Sequence, residues 1–327
     1  MGDSCDTDFV EVADRCFVAR YPEWDVNVGV LLGSAGALVV DTRASATQGA
    51  ALHDDVRRLA PGAEIRWVVN THQHFDHTFG NGAFAGASVY AHENAAAGMP
   101  EAAARLKGLI KADRELDPDH PEITAEVLDD VLGTELRLPD RTFSSVATID
   151  LGDRFVELLY PGRGHTDGDL VVRVPDCEVL FAGDLVEESP DRDATPGFGV
   201  DCFPLEWGAT LDLAIGMVTD RYVVVPGHGA PVDREFMDRQ RADISDVAEM
   251  IRTLAGNSVP VDEALRVGTE TARPVPLAES YTMPPGAGPD AAAPERLGWP
   301  FDPVYLADAL RRGYAQLGRS ERTLPLA

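Results

Sequence analysis

The sequence predicts an α/β fold in which two strand-rich stretches, separated by helices, form the halves of a two-sheet sandwich. Three observations carry that reading. β-rich runs lie within residues 9–41 and at 65–70 and 88–91, they return at 148–159, 170–174, 179–182 and 222–225, and segments of helical spacing lie between and after them. The chain has 327 residues of which 44% are hydrophobic, enough for a sizeable core.

Taken in order, VEVADRCFVAR, VNVGVLLG and GALVVD read as strands with turn residues between them. The near-apolar run Val26–Val40 carries Asn27 and a Gly-Ser-Ala-Gly centre, so it reads as two strands and a turn, not a membrane span. Ala44–Leu59 has helical spacing and stops at Pro61-Gly62. Ile65–Asn70 and Ser88–Ala91 are short strands flanking the polar loop THQHFDHTFGNG. Ala95–Leu132 is mostly helical, interrupted near Asp117-Pro118. Thr148–Leu159, Leu170–Val174, Val179–Ala182 and Tyr222–Val225 are β-rich, and the last three adjoin loops with Gly and His or Asp. Residues 235–256 and about 303–317 are helical, with a Pro- and Gly-rich segment at 272–294 between them. Segments 95–132 and 272–294 are candidate walls over a cleft, where Met99, Leu106, Leu109, Ile110, Tyr281 and Met283 would shape an apolar pocket.

The formal net charge of −27 excludes a nucleic-acid or acidic-membrane partner held by bulk electrostatics, and leaves a small-molecule substrate as the expected partner. The acidic opening residues lack the positive charge and apolar stretch of a signal peptide, so a cytoplasmic location is expected. Cys5, Cys16, Cys177 and Cys202 stand at no metal-ligand or disulfide-framework spacing and read as free, partly buried thiols.

Five of the eight histidines fall in three loops of one chemical character. In His72-Gln73-His74-Phe75-Asp76-His77 an extended backbone would send positions 72, 74 and 76 to one side. Two nearby imidazoles plus a third would fill three positions on one ion and leave a fourth for water, while Asp76 and His77 point differently and suit a second ion. Gly164-His165-Thr166, Gly183-Asp184 and Gly227-His228 each follow or adjoin a strand, and Thr166 could support a ligand by a hydrogen bond. Any one Gly-His or Gly-Asp alone is a turn. The six-residue cluster followed in order by His165, Asp184 and His228 is what argues for metal. His92-Glu93 reads as a helix start, and His53 and His120 as surface residues.

This order of ligands in these strand-end contexts resembles the metallo-β-lactamase superfamily, whose signature is His-x-His-x-Asp-His followed by His, Asp and His. The resemblance covers roughly residues 8–240 and implies an αββα four-layer sandwich of two mixed sheets with two metals at one edge. Residues 1–240 would then form the catalytic domain, 95–132 a helical insertion near the cleft, and 241–327 an extension packed on the same domain. It also implies that His72, His74 and His165 bind one metal, that Asp76, His77 and His228 bind the other, and that Asp184 bridges. Asp41, closing GALVVD, matches an aspartate that supports the metal loop from behind. The bridging Asp184 argues against antibiotic hydrolysis and for thioesterase-, lactonase- and glyoxalase-like relatives. Asp184 and His228 are only 44 positions apart, which leaves no room for the extra domain of the nuclease branches. Gln73 and Asp167 depart from the family pattern beside the metals.

The chemistry expected is hydrolysis of a small ester, thioester or lactone by a hydroxide bridging two divalent ions, with Asp76 and Asp184 as catalytic groups. Zinc and iron accept the same ligands, so a diiron oxygenase drawing electrons from a separate partner is the alternative. A purely structural metal would favour closed coordination with cysteine, and no cysteine joins the motif.

Overall fold

The structure is a computed structural model and describes residues 9–114, 116, 120–189, 196–265 and 303–319. Cys5, Asp117-Pro118, and the 272–294 segment with Tyr281 and Met283 lie outside the described residues.

Twelve strands form two sheets among the described residues. The first sheet contains β1 (Val10–Ala13), β2 (Cys16–Arg20), β3 (Asn27–Gly33), β4 (Gly36–Val40), β5 (Ile65–Val69), β6 (Ser88–His92) and β7 (Arg141–Phe143), in that order. It is antiparallel from β1 to β4 and parallel from β4 to β7. The second sheet runs β12 (Val223–Pro226), β11 (Val179–Gly183), β10 (Val171–Val174), β9 (Phe155–Leu159), β8 (Val146–Asp150). Only its β11–β12 pair is parallel. The single β run expected over 148–159 is thus a hairpin, turned at Gly152 with φ 95°.

Side-chain alternation along the strands sends one set of residues between the sheets and the other outward. Cys16, Leu31, Leu38 and Val69 meet Val156, Leu158, Val172 and Phe181 in the inner core. Gly29 faces the same gap, where a Cβ would lie 2.3 Å from the Phe181 ring. Outside the first sheet, Val28, Val30, Val39, Val68 and Val89 pack on Leu52 and Val56 of α1 (Ala46–Leu59). Ser45 caps that helix by accepting from Gln48 N, and Arg57 and Arg58 close it against the dipole.

Outside the second sheet, Val171, Leu180 and Val224 meet α5 (Pro204–Ile215), α6 (Arg234–Gly256) and α7 (Pro303–Gln316). Asp233 caps α6, whose Met237, Ile244, Val247 and Ile251 form its apolar stripe. The arrangement is the four-layer αββα sandwich. Between β6 and β7, α3 (Glu93–Ala112) and α4 (Ala125–Gly133) make up the 95–132 helices. His92 starts α3, its Nδ1 accepting from Asn94 N. No helix among the described residues is long and apolar enough to cross a membrane.

One close approach fixes α1 to the loop after β5. The Gly49 and Gly80 backbones touch, and a Cβ on Gly80 would lie 1.9 Å from the Thr42 carbonyl oxygen. Backbone cannot yield as a side-chain tip can. Gly80→Ala is therefore expected to cost about 3 kcal/mol or more, read as a lower urea midpoint at unchanged slope.

Candidate metal centre

The C-terminal ends of β4, β5, β11 and β12 all open at one edge of the sandwich, because each belongs to a parallel pair. There the chain leaves regular pairing and can aim polar side chains inward. After β5 the chain bends at residues 71–73, is extended at His74, the N-cap, and enters the short helix α2 (Phe75–Thr78). This change of backbone form puts Asp76 and His77 in a group with His228, beside the one that holds His72 and His74.

The seven sequence-predicted residues come together in two groups. His72, His74, His165 and Asp184 form one, Asp76, His77 and His228 the other, and within each group the ligand-type atoms lie within 4.8 Å of one another. Asp184 stands between them. Its Oδ2 is 3.4 Å from His72 Nε2, 3.4 Å from His165 Nε2 and 3.2 Å from His228 Nε2. Its Oδ1 is 3.3 Å from His77 Nε2. Asp76 Oδ2 lies 3.5 Å from His228 Nε2 and 3.6 Å from His77 Nε2.

Each imidazole turns one ring nitrogen to this centre while the rest of the protein faces the other. His77 Nδ1 lies 2.9 Å from Asp41 Oδ2. His228 Nδ1 lies 2.7 Å from the Trp24 carbonyl. His72 Nδ1 lies 3.1 Å from Thr71 Oγ1, which itself donates to Asp41. His74 Nε2 meets Asp201 at 3.2 Å, leaving its Nδ1 2.9 Å from His165 Nε2. His165 is the exception, its buried Nδ1 having no hydrogen-bond partner and Glu187 only at 3.7 Å. Outward contacts of this kind fix tautomer and orientation so that the inward lone pairs are presented to a cation. His72 Nε2 and Asp184 Oδ1 are buried without a hydrogen-bond partner, an arrangement that costs free energy unless a cation engages them. The donor set therefore fits divalent metal.

The charges agree. Burial alone would raise the Asp184 carboxyl, but His77, His228 and His72 hold it well below the usual range. Burial would lower His228, yet Asp184 drives it up to about 10, and His77 is likewise raised well above normal by Asp184, Asp76 and Asp41. Burial takes His165 down to about 4 and His72 lower than its ordinary value. Protons on His77 and His228, favoured by the surrounding carboxylates, compete with a cation for the same nitrogens, so metal affinity should rise with pH.

Several supporting residues had no distinguishing signal in the sequence. Asp201, from the loop before α5, receives Gln73 Nε2 at 3.0 Å and Arg105 Nη2 at 2.6 Å besides facing His74. Gln73 is thereby explained: it braces the group behind His74. Glu187 is held at its backbone by Gln240 of α6, and burial followed by the Asp184 charge raises its carboxyl to about 7. Asn27 Nδ2 donates to the Pro226 and Gly229 carbonyls and so pins the His228 turn to β3. Trp24 and Asp25 adopt φ 59° and 54°, strained values that aim the Trp24 carbonyl at His228.

Two sequence expectations change. Thr166 Oγ1 donates to Asp169 at 2.5 Å and bears on no ligand, because the buried Asp169 carboxylate also gathers the Gly164 and Thr166 amides. Asp167 keeps its carboxylate half exposed near Arg163, its carbonyl accepting from Tyr160 and Asn94. Leu109 is 63% exposed and does not shape a pocket, whereas Leu106 packs in one cluster with Trp24 and Phe75.

The family model of the metallo-beta-lactamase superfamily matches residues 21–228, the span that holds all seven residues. The chain belongs to this superfamily. Family membership and the two His/Asp groups both point to divalent-metal binding at this cleft. The metallo-beta-lactamase type 2 of Bacillus cereus is 34% identical over 93 residues, 28% of this chain and 36% of the relative. That of Bacteroides fragilis is 28% identical over 115 residues, 35% of this chain and 45% of the relative. The chain thus spans less than half the length of these curated relatives. Among solved structures, a metallo-beta-lactamase from Pontibacter korlensis aligns with TM-score 0.54 and 19% identity, covering 73% of this chain and 98% of its own. A stereoselective inverting sec-alkylsulfatase from Pseudomonas sp. aligns with TM-score 0.71 and 15% identity, over 98% of this chain and 51% of its own. Both likenesses concern the fold.

Asp201 is a buried-side anchor for His74 and not itself a ligand. Asp201→Asn is expected to weaken metal binding by roughly 10- to 100-fold while the chain stays folded, measured by competition with a chromophoric chelator.

Proposed function

We propose that the protein is a binuclear metal-dependent hydrolase that cleaves a small ester, thioester or lactone. The observation that supports it is the position of Asp184, with one carboxylate oxygen toward His77 and the other toward His72, His165 and His228. A carboxylate so placed serves two cations at once. Two divalent ions held there would bring the pKa of a water near 7 and polarise a scissile carbonyl.

The chain's own residues do the rest. His72, His74 and His165 form one binding set and Asp76, His77 and His228 the other, with Asp184 common to both. Asp76, whose side chain is 10% exposed, is the carboxylate at the cleft positioned to accept a proton. Trp24 and Phe75, edge to face at 5.1 Å, give the rim an apolar wall suited to the hydrocarbon part of a substrate. Arg105, one-third exposed and tied to Asp201, supplies a positive edge beside it.

The same His and Asp donors accept iron, so a diiron oxygenase drawing electrons from a separate partner is the second reading. The whole-chain likeness to an alkylsulfatase places secondary sulfate esters in the substrate screen, and the curated relatives place β-lactams there.

Turnover of esters, thioesters and lactones by the metal-loaded protein is the expected result. Asp184→Asn should lower kcat/KM on the order of 10³-fold, the loss of several kcal/mol of transition-state stabilisation. Full activity in that variant would end this mechanism. Oxygen consumption by the ferrous protein, with no hydrolysis of any screened substrate, would replace it with the oxygenase.

A further inference from the structure

Away from the metal cleft, a pair of thiols joins the two sheets. Cys16 opens β2 in the first sheet, and Cys177 lies in the turn between β10 and β11 of the second. Both are free, Cys16 fully buried and Cys177 half-buried, and their sulfurs are 3.1 Å apart. The sulfurs need to approach by only about 1 Å to reach a covalent bond of about 2.0 Å.

The surroundings suit thiol chemistry. Arg154, its side chain wholly buried, brings Nη1 to 3.6 Å from Cys16 Sγ. That guanidinium is fixed by Asp176 at 3.0 Å and by the Asp14 carbonyl at 2.8 Å. The Cys16 hydrogen bond and then the Arg154 charge lower the Cys177 thiol, while the same hydrogen bond and then burial raise Cys16. The outer sulfur is the better thiolate and the one that solvent reaches. Cys202 is buried in the helical layer beyond the second sheet and takes no part.

We propose that Cys16 and Cys177 form a reversible disulfide that ties the seven-stranded sheet to the five-stranded one. The Cys177 thiolate attacks a low-molecular-weight disulfide, whose S–S bond breaks to release one small thiolate. Cys16 then gives up its proton and attacks the Cys177 sulfur, expelling the second small thiolate. In sum two cysteine thiols lose two electrons and two protons, and one small disulfide becomes two thiols. The link joins positions 161 apart in sequence, so it removes much of the freedom of the unfolded chain. The cleft lies at the other end of these strands and is left as it is.

The test uses full-length, metal-loaded protein equilibrated in glutathione buffers of rising oxidised fraction, quenched with acid, alkylated and mapped by mass spectrometry without reduction. The expected product is one peptide pair linked through Cys16 and Cys177, with two of the chain's four thiols lost. The midpoint of thermal unfolding should rise by about 5 °C or more and fall back on reduction. Cys177→Ser should show neither the linked pair nor the shift. Four alkylatable thiols at the most oxidising ratio, or a glutathione adduct resting on Cys177 with Cys16 still free, would overturn the proposal.

Discussion

A buried carboxylate organises this protein. Asp184 lies within 3.4 Å of four imidazole nitrogens drawn from three loops, and its burial is tolerable only because so much partner charge surrounds it. The parallel pair β11–β12 makes this possible, since it brings Gly183-Asp184 and Gly227-His228 to the same edge. Space is a second condition. A Cβ on Gly227 would lie 1.7 Å from Asp184 Oδ1, so the turn that carries His228 can approach only as glycine. Its amide meanwhile donates to the Gly183 carbonyl at 2.9 Å.

The two groups of metal-facing residues share a support as well as Asp184. Asp41, buried and at φ 65° after β4, accepts from the Thr71 amide and hydroxyl and faces His77 Nδ1 at 2.9 Å. Thr71 is in turn beside His72 Nδ1. One carboxylate behind the cleft therefore orients an imidazole of each group. Asp201 does the same for His74 from the opposite side, backed by Arg105 of α3, and Asn27 reaches across from β3 to the His228 turn. Both sheets and the inserted helix contribute to the rigidity of a single site.

The clustering of the seven His and Asp residues was legible in the sequence because four polar loops break apolar strands at positions where strand pairing cannot use them. Asp41 was legible only through the family resemblance, because on its own it reads as a strand-end turn residue. Asp201 was not: it is one of 55 acidic residues, and only tertiary packing brings it beside His74. Asn27 looked like an interruption in an apolar run, yet it is the hydrogen-bond donor that the His228 turn requires. The strand-rich halves and the helices over 46–59, 93–133, 234–256 and 303–316 followed from periodicity. Helix α5 did not, because Pro204, Trp207, Gly208, Thr210, Leu211, Ala214 and Ile215 are buried on more than one face and leave no amphipathic period to read. Thr166 was assigned toward the metals on residue type alone, whereas the buried carboxyl of Asp169 claims its hydroxyl.

The proposed hydrolase requires two cations to share one carboxylate, and metal stoichiometry addresses that directly. Elemental analysis of protein purified without added metal, followed by chelation and stepwise reloading, should give two divalent ions per folded chain. A single ion at saturation, or none, would contradict it.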